Sequence, residues 1–204
     1  MIKSNSKYIP KPRKIQSWEI SRRNFIKSSV ALAILSQLSV LESCTKDFVE
    51  NSVLNKKQFK TLFIVQNILF PEGGYGPAAK DFNAHLYLIW VLQDPNILEE
   101  DKQYVLDGIK WVHETAQEEC QQDFLQLNSA KQEALVQLIA TKNWGENWLS
   151  YMLTLIVEAM VSDPIYGFNT NAIGVKWLEH QYGIPRPNNQ TKYPEIFKTV
   201  AKNG

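Results

Sequence analysis

The sequence predicts an all-α protein, a single compact helical bundle behind an N-terminal signal segment. Three observations carry that prediction. Apolar side chains recur at three- and four-residue spacing through most of the chain after residue 56. Pro, Gly and Asn clusters separate these periodic stretches into helix-sized pieces. No run alternates apolar and polar residues in the manner of a half-buried strand. With 204 residues, of which 44% are hydrophobic, the chain is long enough for one domain with a real core.

The elements follow in order. Phe59, Leu62, Phe63, Val65, Gln66, Ile68 and Leu69 mark a first helix, ended at Phe70-Pro71 because a proline disfavours helical geometry in the residue before it. Glu72 to Pro77 reads as a glycine-rich loop. A second helix is expected over Ala79 to Leu92, with Phe82, Leu86, Ile89 and Trp90 inward and Asp94-Pro95-Asn96 as its break. A long helix follows from Glu99 to Gln122, its stripe approximated by Tyr104, Leu106, Ile109, Val112 and Ala116. Ser129 and Gln132 form a candidate capping box for the helix through Leu135, Leu138 and Ile139, and Trp144-Gly145 is read as its interruption. Trp148, Leu149, Met152, Leu155, Ile156, Ala159 and Met160 define the most apolar helix, ended by Asp163-Pro164. A short helix from Val175 to His180 leads into an irregular end. The resulting organisation is a signal segment over 1–43, a polar tether over 44–55, the helical domain over 56–187 and a tail over 188–204.

The formal charge of +1 hides an uneven chain. Residues 1–27 hold eight of the 22 Lys and Arg. From Cys44 onward there are 14 basic and 19 acidic side chains, a net charge of −5. An acidic body of this kind excludes nucleic acid as the expected partner, since neutralising phosphates needs clustered cations.

The basic head carries the sharpest local signal. Ser21-Arg22-Arg23-Asn24-Phe25-Ile26-Lys27 resembles a twin-arginine export signal, with Arg22, Arg23 and Phe25 at its defining positions. Two fixed guanidinium forks suit a receptor that reads the pair, which lysine would not replace. Ser28 to Val40 is apolar but diluted by serines, too short for a permanent membrane span and suited to a signal core. Leu41-Glu42-Ser43-Cys44 resembles a lipobox, with Glu42 departing from the usual small residue. Two readings of Cys44 stand: an acylated N-terminus holding the protein on a membrane, or an ordinary cysteine after cleavage. The expected location is the periplasm, with membrane association through lipid or a partner. A Cys44–Cys120 disulfide is a further option in an oxidising compartment.

One constellation names a family. Asp163-Pro164-Ile165-Tyr166-Gly167-Phe168-Asn169, followed by Gly174 and Trp177, resembles the C-terminal signature of the gluconate 2-dehydrogenase subunit 3 family. The resemblance extends from about Lys56 to Pro187. Phe168 stands where the family has a second glycine, and Val175-Lys176 separate a glycine and a tryptophan that are paired in the family pattern. The resemblance implies a small subunit of a membrane-associated dehydrogenase acting on sugars, sugar acids or polyols. It places the flavin (FAD) and the chemistry on a large flavoprotein subunit of glucose-methanol-choline oxidoreductase type, and haem c on a cytochrome subunit. The small subunit would supply the export signal, pass through the twin-arginine translocase, and support maturation of the large one. Asp163, Pro164, Tyr166, Gly167, Phe168, Asn169 and Trp177 are the candidate partner-interface residues.

The residues themselves point to no chemistry in this chain. There is no dinucleotide fingerprint and no Cys-x-x-Cys-His haem motif, so no cofactor is expected on it. His85, His113 and His180 fall on three different elements and are read as ordinary core or surface histidines rather than metal ligands. Glu118, Glu119 and Asp123 are read as a solvated helix face rather than an acid–base pair. No catalytic residue is assigned. The alternative function is a stand-alone exported lipoprotein that binds a ligand between its helices.

Overall fold

In the computed structural model, residues 53–195 are described, and their regular structure is helical with no strand among them. The signal residues Arg22, Arg23 and Phe25, the lipidation candidate Cys44 and the end of the tail lie outside the described residues. Among the described residues there are six α-helices and three 3-10 turns.

Helix α1 spans Lys56–Leu69. Asn55 starts it with a full capping box: its side chain accepts from the Gln58 N–H, and the Gln58 side chain accepts from the Asn55 N–H, both at 2.9 Å. Phe59, Leu62, Val65 and Leu69 form the buried stripe. Phe70 leaves helical geometry (φ −135°, ψ 78°) before Pro71, since a proline disfavours the helical conformation in the residue it follows.

Helix α2 spans Ala84–Gln93, five residues later than the expected start at Ala79. The segment before it is a run of turns. Asn83 adopts a left-handed backbone (φ 57°), a conformation asparagine tolerates better than most residues. The Asp81 carboxylate accepts from the Ala78 N–H and competes with helical pairing. Phe82 nevertheless packs inward, fully buried.

Helix α3, Glu99–Cys120, opens with Glu99, Glu100 and Asp101, which suit the positive end of the helix dipole. It stops at Gln121, left-handed at φ 56°, short of the expected Gln122. Its buried stripe is Val105, Gly108, Ile109, Val112, Thr115 and Ala116. The inward face is thus rotated from the one expected: Tyr104 and Leu106 flank it, half-buried.

A 3-10 turn, Phe124–Gln126, is capped by Asp123. Helix α4, Ser129–Ile139, is capped by Asn128 and not by Ser129. Gln132 is buried and donates to the Phe124 carbonyl at 3.0 Å, so the expected capping box gives way to a tertiary hydrogen bond. Helix α5, Asn143–Val161, begins at Asn143. Trp144-Gly145 opens this helix rather than interrupting a longer one. Glycine is required there, because a Cβ on Gly145 would lie 2.1 Å from the Ile139 carbonyl oxygen. Two further 3-10 turns, Pro164–Tyr166 and Thr170–Ala172, lead into α6, Ile173–Trp177, which sits two residues upstream of the expected start and ends before His180.

Helix α5 is the central element. It packs against α1, α2, α3 and α6. All seven of its expected inward residues, from Trp148 to Met160, are buried. Among the described residues, no helix is long and apolar enough to cross a membrane. Among the described residues Cys120 has no disulfide partner, and the Cys44–Cys120 option involves a residue outside them.

One half-buried histidine makes the fold sensitive to acid. His85 lies edge-on to Phe59 and Phe63, with ring centroids 5.8 and 5.2 Å away. Burial pushes its pKa down to about 4. The unfolded chain therefore binds more protons than the native one between pH 6.5 and about 4, and stability falls as pH falls through that window. This histidine alone is expected to remove about 2 kcal/mol between pH 7 and pH 5. Urea unfolding of wild type and His85→Phe at both pH values should show that increment in wild type only. Equal pH dependence in the two would contradict the assignment.

Candidate interaction site

The segment after α5 ties the end of the chain to the bundle. Asp163 caps the first 3-10 turn, its Oδ1 accepting from the Ile165 N–H at 3.0 Å. Its Oδ2 accepts from Arg186 through Nε at 2.9 Å, with Nη2 at 2.8 Å. The same guanidinium lies over the Tyr182 ring, 4.6 Å from its centroid. Pro164 occupies the first position of the turn, where its missing N–H is harmless. Gly167 follows at φ 89°, a left-handed geometry that favours glycine.

Beyond Gly167 the chain dives inward. Phe168 is buried, its ring 5.3 Å from Tyr87 and 5.8 Å from Trp90. Asn169 is fully buried and uses every polar group it has. Its Nδ2 donates to the Ser162 carbonyl and to the Tyr182 hydroxyl, both at 3.0 Å. Its Oδ1 accepts from the Gly174 N–H at 2.8 Å, and its own N–H donates to the Phe82 carbonyl at 2.9 Å. Gly174 is equally constrained, since a Cβ there would lie 2.4 Å from the Met160 carbonyl oxygen.

The expected interface residues therefore divide. Asp163, Phe168 and Asn169 spend their side chains inside the domain, so they hold the loop and offer no free anchor. Tyr166 is half-buried, with its ring 6.0 Å from Trp90 and its hydroxyl accepting from the Tyr193 N–H at 3.3 Å. Pro164 is half-buried beside it, and Gly167 is exposed. Trp177 is 40% exposed. Its Nε1 donates to the Tyr75 carbonyl at 2.9 Å, and its ring meets Phe70 edge-on at 6.2 Å. It also presses on Gly76, where a Cβ would come within 2.5 Å of the indole.

Backbone strain concentrates here. Asn169, Asn171 and Ala172 are all left-handed, with φ of 48°, 59° and 56°. Asparagine accommodates this conformation, but alanine has no side-chain hydrogen bond to offset the Cβ clash. Ala172→Gly is expected to raise stability by about 0.5–1 kcal/mol, read as a higher urea midpoint at unchanged slope.

The histidines stay apart. His85 is held among phenylalanines, and His180 is exposed beyond α6. Among the described residues, no group of three or more His, Cys, Asp or Glu could hold a metal ion. Glu118 and Glu119 are exposed on α3 as expected. Asp123 is not on a solvated helix face. It pairs with Lys57 and lies 3.1 Å from His113 Nδ1. His113 Nε2 in turn lies 2.9 Å from Thr61 Oγ1. This Thr61–His113–Asp123 row escaped sequence reading because its members are 52 and 10 positions apart on three elements. It has the order of a nucleophile relay, yet Thr61 is fully buried and its hydroxyl also donates to the Lys57 carbonyl at 3.0 Å. The row clamps α1, α3 and the Phe124–Gln126 turn together. Burial holds the His113 pKa below the usual range, against the opposing charge of Asp123.

The geometry is that of a pinned surface loop on a helical bundle. The family model described as gluconate 2-dehydrogenase subunit 3 matches residues 56–183. No curated protein and no solved structure matches the chain. The match covers more than half of the sequence and includes the whole pinned loop, and the chain belongs to the gluconate 2-dehydrogenase subunit 3 family.

Proposed function

We propose that this chain is the non-catalytic small subunit of a periplasmic, membrane-associated, flavin-dependent dehydrogenase complex, and that it supports export, maturation or assembly of the flavoprotein large subunit. The observation that carries the reading is the family match over residues 56–183, the family being a subunit of a dehydrogenase complex. The twin-arginine pattern at Arg22 and Arg23 supports the export role, and the Cys44 lipobox supports membrane attachment. FAD on the large subunit and haem c on a cytochrome subunit complete the proposed complex. The alternative, a stand-alone ligand-binding lipoprotein, draws little support from the clefts beside His113 and beside Cys120, which are open to solvent.

Co-purification is the direct test. A tagged chain isolated from membranes should bring down a larger protein with flavin absorbance and sugar, sugar-acid or polyol dehydrogenase activity. The Arg22→Lys, Arg23→Lys double variant should leave that activity in the cytoplasm, and Cys44→Ala should release the complex from the membrane. Absence of any flavoprotein with the wild-type chain would refute the subunit reading.

A further inference from the structure

Pro185, Pro187 and Pro194 keep the chain after Gly183 from regular structure, since each fixes φ and removes a backbone donor. Residues 184–195 form an irregular strap in which no residue is buried. Its middle closes on itself. The Asn188 side chain accepts from the Gln190 and Thr191 N–H groups at 2.8 and 3.1 Å, and the Asn188 carbonyl accepts from the Lys192 N–H at 2.8 Å. These bonds are local to the strap, so they persist when it leaves the bundle.

Side chains near its two ends reach back. Arg186 pairs with Asp163 at the start of the signature loop. Tyr193 donates its hydroxyl to Asp94 Oδ1 at 2.7 Å, just past α2, and accepts from Asn96 Nδ2 at 2.8 Å. Its ring meets Trp90 edge-on at 5.7 Å, and its N–H reaches the Tyr166 hydroxyl at 3.3 Å. Tyr193 thus rests on an aromatic step made by Trp90 of α2 and Tyr166 of the signature loop, whose ring centroids are 6.0 Å apart.

We infer that residues 184–195 are a latched strap that opens without the bundle, with Tyr193 as the latch, and that its opening uncovers the Trp90–Tyr166 step. The energetics favour separate opening. The bundle is held by a buried apolar core, whereas the strap is held through half-buried and exposed side chains whose hydrogen bonds water can replace. Segments of that kind open far below the cost of global unfolding. The step beneath keeps its shape when uncovered. Trp90 is supported on its other contacts by Phe168 at 5.8 Å and Tyr87 at 5.7 Å, and Tyr166 sits in the 3-10 turn capped by Asp163. The family match ends at residue 183, so both members of the step lie inside the matched domain and their cover lies outside it. The device is an occluding contact: the strap occupies an aromatic pair of the kind that interfaces use as anchors.

The full chain tests this directly. Trypsin cutting after Lys192, read by mass, reports detachment of the strap, because cleavage of a transiently open segment tracks its open population. Asp94→Ala and Asn96→Ala each remove one bond to the Tyr193 hydroxyl and leave the cut site intact. Each is expected to speed that cut about fivefold with an unchanged circular dichroism melt. Asn96 is exposed, so its variant keeps the test open if Asp94→Ala disturbs the end of α2. Tyr193→Ala should raise acrylamide quenching of the tryptophan fluorescence, and the rise should vanish in a Trp90→Phe background. A Lys192 cut no faster than unfolding of the bundle, or unchanged in both variants, would make the strap part of the cooperative core and overturn the inference. Fast cutting with quenching unaltered by Tyr193→Ala would show that opening does not uncover the step, and would overturn it as well.

Discussion

Asn169→Ala is expected to lower the stability of the domain by about 3–5 kcal/mol, near the top of the range for a single substitution. The side chain is fully buried and makes three hydrogen bonds, to Ser162, Tyr182 and Gly174. Truncation strands the buried Gly174 N–H and one face of the Ser162 carbonyl, and unmet buried groups cost about 1–3 kcal/mol each. It also places alanine at φ 48°, which adds about 1 kcal/mol of strain. Asn169→Gly separates the contributions. It keeps the left-handed backbone and loses the same hydrogen bonds, so it should recover about 1 kcal/mol relative to alanine. Urea unfolding of the three chains measures both. An Asn169→Ala chain as stable as wild type would mean that the loop is not the internal tie described above.

Gly108→Ala is expected to cost about 2–3 kcal/mol, an overpacking effect that a second change relieves. A Cβ at this position would stand 1.9 Å from Trp148 Nε1 and 2.2 Å from its Cε2. The indole is a rigid plate, fully buried within the core, and has no direction in which to retreat. Among the described residues its Nε1 also lacks a hydrogen-bond partner, so the nitrogen contributes nothing there that a phenyl ring would forfeit. Trp148→Phe opens space on the Gly108 side. The double variant should be more stable than Gly108→Ala alone, with a coupling above about 1 kcal/mol in the mutant cycle. Additive losses would show that the two side chains do not share this contact.

Much of the architecture was legible because helices record their buried face locally. The seven inward residues of α5 recur with helical spacing, and all seven are buried. Pro71 and Pro164 stop helices for a reason contained in the residue pair itself. The errors arose where two local solutions compete. Ser129 and Asn128 are both good caps, and Gln132 was drawn away by a carbonyl of the preceding turn. Ala79 begins an apolar run that periodicity alone assigns to α2, but Asn83 and Asp81 favour turns there.

The interaction site was legible only as a motif. Asp-Pro-x-Tyr-Gly and the asparagine after it mark a turn in any context, and the sequence singled those positions out. It did not distinguish residues that shape the loop from residues that face outward. Phe168 and Tyr166 are two aromatics two positions apart, yet one is buried against Tyr87 and the other remains half-buried beside Pro164. Tyr75 lies in the 72–77 loop that the sequence marks, but the grip of Trp177 on its carbonyl comes from 102 residues away.

The sequence by itself determined the helical class, most helix limits, the inward face of α5, the signature loop and the family. Those properties rest on backbone preference and on spacing within one element, which the order of residues states directly. Only the tertiary structure decided which signature residues are structural, and that Thr61, His113 and Asp123 form one row. Each of these depends on which face of an element its neighbours cover. That is set by packing between segments far apart in the chain, and no local pattern carries it.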